Sequence, residues 1–499
     1  MSFSTSWRAL TTRAFSEKGS EFLSYDMLYQ LSYMSAVAAA GISRTRIIEF
    51  ACDLPCYTSK YFKQIQVLAN QMRLDYALAC RKVGETAREE PVRGFLLRWS
   101  ASMAAGEAET DFLQVEARLA AQAFENVYSR DVETLRMWTE AYAAIIISAA
   151  LMVMVSAVSM LIYPVATGMT IGVVGLTVGA AIVGAWMVWK VAPKEIRFHS
   201  YTPYCIPHRR ARRLEFILLP TAAVSFMGVL VIGGGLGWAI VLASILMLPV
   251  GIAGTMLDRQ VRKKDSDVST FIRSTGSIAS AVGITTSMAL KKLDLRSVAS
   301  LADDVKSLQG RLLTRLKPEL CWHRFSLETG SETVYRTIKM FQDATRLGGE
   351  PEEVGDRSCL LATSLNFLRA KRAQVSNSFA LLVLGMHFAI VGLLVFVAQV
   401  IVAFANAAAG SYYEAVEGVE SAALEVFSLN FGSIGILEYT TTPVLLVLSI
   451  TVAFAAKVAQ GGSKYTFYNY LGVALLATGG GMVMVPPIAD ALFSPITAF

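Results

Sequence analysis

The chain has 499 residues, 54% of them hydrophobic and only 17% charged, with 45 Lys and Arg against 39 Asp and Glu. Soluble domains run at about 45–50% apolar and about 25% charged, so a purely soluble enzyme, a disordered chain and a collagen-like chain are excluded. Six scattered cysteines exclude a disulfide scaffold.

The first 22 residues contain no apolar run of signal-peptide length, which predicts a cytoplasmic N-terminus. A polar segment, 1–140, reads as helical, with apolar residues recurring at three and four between Met27 and Phe50. Seven long apolar stretches follow: Ala141–Tyr163, Thr167–Trp189, Leu214–Gly233, Leu236–Met256, Phe379–Phe404, Thr441–Ala456 and Thr466–Pro487. Most can cross about 30 Å of hydrocarbon. None carries a charged residue except Glu215, at the rim of the third. The sixth is short, and Pro443 is expected near its helix start. Pro164-Val165-Ala166 and Gly233-Gly234-Gly235 join the first four spans into two hairpins.

Cation placement sets the orientation. With the N-terminus inside, all 45 Lys and Arg fall on inner segments 1–140, 190–213, 257–378 and 457–465. The outer loop 405–440 is acidic, with Glu414, Glu417, Glu420, Glu425 and Glu438. The C-terminus is then outside. The expected fold is all-α: a polytopic membrane protein with about seven transmembrane helices and two cytoplasmic helical-bundle domains. Its parts are domain 1 (1–140), four spans (141–256), domain 2 (257–378) and three spans (379–499).

The two domains repeat each other. Gly41-Ile42-Ser43 matches Gly283-Ile284-Thr285, and Gly106-Glu107 is placed opposite Gly349-Glu350. Each glycine-hydroxyl pair predicts a helix ended by a glycine C-cap and a next helix N-capped by the hydroxyl. Gly41, Gly283, Gly106 and Gly349 are thus assigned structural roles.

Chemistry-bearing motifs are missing. Gly461-Gly462-Ser463-Lys464 lacks the first glycine and the strand of a phosphate-binding loop. No GxSxG, HExxH or paired CxxC occurs, and Cys52-x-x-x-Cys56 has no second ligand pair nearby. No catalytic residue, cofactor or metal is expected. His387 lies inside the fifth span, where an ionisable residue is a functional candidate. No carboxylate in the spans can serve it as a relay, which favours a neutral ring bonded to a neighbouring helix. Two basic clusters stand out. Arg209, Arg210, Arg212 and Arg213 are read as lipid and topology anchors. Arg259, Arg262, Lys263 and Lys264 are read as a docking surface for an acidic partner.

Two related helical domains preceding membrane spans, with AAAGIS ending at Ser43, SAVGIT ending at Thr285, and the AAGE and LGGE motifs at Gly106 and Gly349, resemble the type II secretion system F family. Its members are the inner-membrane platforms of type II secretion systems, type IV pili and archaella. Four spans between the domains are similar to the archaeal branch. The lack of spans before the first domain points toward an archaeal pilus or Tad-like system rather than the archaellum. The resemblance implies a non-catalytic platform in the cell membrane, docked by a hexameric secretion ATPase and acting on pilin-like subunits. It also implies a homo-oligomer among membrane lipids, with no nucleic acid. A membrane receptor or transporter with regulatory helical domains is the alternative.

Overall fold

The computed structural model describes residues 22–162, 167–198, 205–314, 316–415 and 434–493. The expected Pro164-Val165-Ala166 turn and most of residues 1–22 lie outside them, as does 416–433 of the acidic loop. The protein is an all-α, polytopic membrane protein. Among the described residues the sole β pairing is a bridge from Phe198 to Ser331. The chain divides into two compact units.

The first unit comprises residues 1–130, 193–209 and 258–371. Its helices are α1 (Leu23–Ala38), α2 (Arg44–Cys52), α3 (Ser59–Gln71), α4 (Tyr76–Thr86), α5 (Glu90–Ala105) and the start of α6 (Glu109–Ile162). The series then recurs. The end of α9 (Leu236–Val282) takes the place of α1. It is followed by α10 (Thr286–Lys292), α11 (Ala302–Leu313), α12 (Pro318–Thr329), α13 (Glu332–Arg346) and the start of α14 (Pro351–Ala415). The register is nearly gapless: Arg44 and Thr286, Tyr76 and Pro318, Glu90 and Glu332, and Glu109 and Pro351 open matching helices at one constant offset. Each repeat builds its own aromatic core. Phe62, Phe95, Trp99 and Phe112 cluster in the first, and Phe271, Trp322, Phe325 and Phe341 in the second. Each such buried side chain contributes about 1.5–3 kcal/mol.

Gly41 and Gly283 both stand at φ +65°. At Gly283 the helix closes with the paired bonds Gly283 N–H to Ser280 O and Ile284 N–H to Ala279 O. Ser43 and Thr285 occupy the extended N-cap position, yet neither hydroxyl bonds the helix it precedes, so the expected hydroxyl caps are not formed. The second landmark needs a shift of one residue. Gly106 has φ +73° and its counterpart in geometry is Gly348 at φ +98°, not Gly349. Gly349 is the next residue, donating to Ala344 O. Its missing side chain lets Ala40 of the first repeat approach, with the Ala40 Cα 3.4 Å from where a Cβ would stand.

A Cβ at Gly41 or Gly283 would meet nothing within 4 Å. The cost of Gly41→Val or Gly283→Val is therefore backbone strain, about 1–2 kcal/mol each. Thermal unfolding of each variant should fall accordingly, and unchanged stability in both would remove the capping role.

The second unit comprises 131–192, 210–257 and 372–499. Among the described residues, seven helices are long and apolar enough to cross a membrane. They are the later part of α6, α7 (Thr167–Val191), α8 (Ile206–Val231), the first part of α9, the later part of α14, α15 (Ile434–Gln460) and α16 (Thr466–Phe493). The most buried span is α15, at 61%, and the least is α8, at 6%. Packing against α7 and α16 explains how so short an apolar run sits at the core. It begins upstream of the predicted span, so Pro443 lies inside the helix rather than near its start. Gly233 and Gly235, both at positive φ, reverse the chain between α8 and α9. Residues 405–415 of the acidic loop continue α14, and 434–440 open α15.

Spans α9 and α16 pack through a seam of small residues. Gly237, Ser244 and Gly251 recur every seven residues and face Gly479, Gly472 and Asn469 in antiparallel order. Small side chains let backbones approach closely where lipid offers no hydrophobic drive.

Candidate functional site

The expected docking cluster lies on α9. Leu257, Val261, Asp265, Val268 and Ile272 form the buried stripe of this helix. That periodicity turns Arg259, Arg262 and Lys263 outward, and all three are exposed with no ion pair among the described residues. Lys264 is different. Its Nζ sits 2.6 Å from Asp304 Oδ2 on α11, with both side chains largely buried. Burial pushes the Asp304 carboxyl up, against the pull of Lys264. Lys264 is thereby committed to internal packing. The other cluster, Arg209, Arg210, Arg212 and Arg213, occupies the first turns of α8 and is exposed.

Sequence reasoning missed two buried arginines that join the repeats. Arg336 on α13 is completely buried, with Glu332 Oε1 2.7 Å from its Nε. Its guanidinium lies over the rings of Tyr25 and Tyr29 on α1, 4.7 and 4.4 Å from their centroids. Asp26 stands 3.9 Å away and accepts from the Tyr57 N–H at 2.9 Å. Farther along, the Tyr33 hydroxyl donates to Asp343 at 2.8 Å. Arg357 donates to the carbonyls of Ser35 and Thr110, at 3.0 and 3.2 Å. A signal did exist: Arg336 occupies the face of α13 otherwise made by Thr333, Thr337, Met340 and Ala344, all buried.

Arg369 organises a second network. It donates to Glu195 Oε2 at 2.9 Å, to Asp265 Oδ2 at 2.8 Å and to Thr333 Oγ1 at 2.8 Å. All three charged side chains are at most 6% exposed. Burial works against the charge on Arg369, but Glu195 and Asp265 outweigh it and hold its pKa above the ordinary value. Ser331 also bonds Asp265 while capping α13 through the Val334 N–H. Glu195 belongs to the loop 190–213, and Glu332 N–H donates to Arg197 O. Half of that loop is thus a strap fixed to the second repeat, while its arginine-rich half forms the start of α8.

Within the membrane unit, Arg372 closes the end of α15 by donating to the carbonyls of Ala459 and Val458, both at 3.0 Å. A cation suits a helix C-terminus. Glu215 pairs with Lys464 at 2.9 Å and accepts from the Tyr468 hydroxyl at 3.2 Å. His387 Nε2 lies 3.1 Å from both Ser449 Oγ on α15 and Thr478 Oγ1 on α16, joining three spans. The expected bond to a neighbouring helix is thus made twice. All six cysteines are free and buried, and burial pushes the Cys52 and Cys80 thiols up to about 12. Among the described residues no group of three His, Cys, Asp or Glu could hold a metal ion.

No family model matches the chain, and no solved structure matches it. A protein of Methanocaldococcus jannaschii named Flagella accessory protein J is 20% identical over 426 residues, covering 82% of this chain and 74% of that protein. The chain is therefore an all-α membrane protein with distant similarity, along most of its length, to a flagella accessory protein.

Proposed function

We propose that this protein is the non-catalytic inner-membrane platform of an archaeal type IV filament machine. It couples a cytoplasmic hexameric ATPase to extraction of pilin-like subunits from the membrane. One observation carries the reading: a six-helix domain is present twice, and in both copies its last helix, α6 or α14, continues without a break into a span. The continuous helix gives each domain a direct backbone link to the span that follows it. The relative named for flagella supports an archaellum-type filament over a pilus or Tad-like system. Co-purification with a hexameric secretion ATPase of the same organism, together with loss of filaments on gene deletion, is the expected result. Normal filaments in the deletion strain, or ATP hydrolysis by the purified chain alone, would overturn it.

The proposed orientation has the N-terminus inside and the C-terminus outside, supported by all 45 cations falling on one side. A reporter fused after Phe499 should be active only outside the cytoplasm; cytoplasmic activity would refute the orientation.

Arg259, Arg262 and Lys263 are the proposed ATPase contact. Charge reversal of all three should abolish ATPase association while membrane insertion stays normal. Association should weaken as salt rises, mainly through a slower on-rate, because exposed charges are screened beyond about 10 Å at about 0.1 M salt. Reversal of Arg209, Arg210, Arg212 and Arg213 should instead lower insertion or abundance and leave ATPase binding in detergent unchanged. Identical behaviour of the two clusters would refute this division.

A further inference from the structure

The two repeats differ at one equivalent place. In the first, Arg44 Nε lies 2.5 Å from Glu109 Oε1, and the Trp99 indole N–H donates to Glu109 Oε2 at 2.7 Å. The chain fills that place with its own carboxylate. In the gapless register, Thr286, Pro351 and Phe341 stand where Arg44, Glu109 and Trp99 do. The equivalent ion pair cannot form there, and a cleft of about 720 Å³ is open instead, lined by Thr286, Lys317, Glu319, Gln342, Arg346 and Pro351 among others.

The charge also inverts. Lys317 stands where the first repeat has Asp75, and Arg346 where it has Ala104. Arg346 is held by Glu319 at 2.7 Å, whereas Lys317 has no ion pair among the described residues. Leu316 and Leu320, on either side of the lining segment, and Met288, next to lining residue Ser287, are each more than half exposed. The cleft thus combines an uncompensated cation, hydroxyl and amide groups, and apolar side chains. Its volume is within the range that takes a ligand-sized group, about 300–1,000 Å³.

We propose that this cleft docks a segment of a partner protein in which a carboxylate adjoins an apolar anchor. The partner's carboxylate would pair with Lys317, which has no counterpart cation in the first repeat. The proposal does not depend on the filament role.

The test uses the full chain in nanodiscs and fluorescein-labelled peptides read by anisotropy. The peptides share a Leu-Phe core flanked by glutamates, glutamines or lysines. The glutamate peptide should bind saturably below about 1 mM, with the glutamine peptide about tenfold weaker and the lysine peptide weaker still. Lys317→Glu should weaken the glutamate peptide about tenfold, a change of the size expected when attraction becomes repulsion. Arg81→Glu, at an exposed site on the first repeat, should leave binding unchanged. Equal binding of the glutamate and glutamine peptides, indifference to Lys317→Glu, or no binding at about 1 mM would each overturn the proposal. Complete displacement by inorganic phosphate at matched ionic strength would make the cleft a simple anion site and overturn it as well.

Discussion

Replacing Arg369 with alanine is expected to destabilise the first unit by about 3–5 kcal/mol. The cost comes from what is left behind. Glu195 and Asp265 are at most 6% exposed and would lose the guanidinium that neutralises them. Arg369→Lys should recover little, since a single ammonium cannot reach Glu195, Asp265 and Thr333 with the geometry of a planar fork. Adding Glu195→Gln and Asp265→Asn to Arg369→Met should restore part of the loss, because the unpaired charges are then gone. Hydrogen exchange over residues 193–198 and 331–336, where strap and α13 meet, measures the local effect directly. The comparison is Arg273→Ala, which breaks an exposed pair with Asp356 and should cost less than about 1 kcal/mol. If the two alanine variants lose equal stability, the network is not what holds the strap.

Gly251→Ala should separate α9 from α16. A Cβ at Gly251 would lie 2.2 Å from the backbone nitrogen of Asn469 and 2.3 Å from its Cα, so no rotamer change relieves the overlap. Ordinary overpacking costs about 1–3 kcal/mol, and a clash with backbone belongs at or above the top of that range. Gly254, whose Cβ would stand 2.5 Å from the Tyr465 Cβ, should behave alike. Gly228→Ala on α8 is the control, with nothing within 4 Å, and should be neutral or slightly stabilising in its helix. The readout is the melting temperature and monodispersity of the purified protein in detergent. Equal behaviour of Gly251→Ala and Gly228→Ala would refute close packing of these spans.

Much of this architecture was legible because it depends on local composition. A bilayer demands long uncharged runs, so seven spans could be counted from hydropathy alone. A helix that must stop needs a residue tolerant of positive φ, so Gly41, Gly106 and Gly283 marked the repeat before any coordinate did. The one-residue displacement from Gly349 to Gly348 shows the limit. Two adjacent glycines are identical as letters, and the backbone φ and closing hydrogen bonds distinguish them.

What the sequence by itself determined was the all-α class, the number of spans, the absence of Lys and Arg from the spans and the existence of a duplication. Only the tertiary structure decided how far each helix runs. Hydropathy reports where a polar face ends, not where the backbone breaks, so α6, α9 and α14 pass unmarked through residues 140, 256 and 378. It also decided which cations are available. Lys264 and Lys263 are neighbours in the chain, but a turn of about 100° per residue sends one toward Asp304 and the other into solvent. The seats of Arg336 and Arg369 likewise depend on partners more than 100 residues away, a distance at which no local pattern carries information.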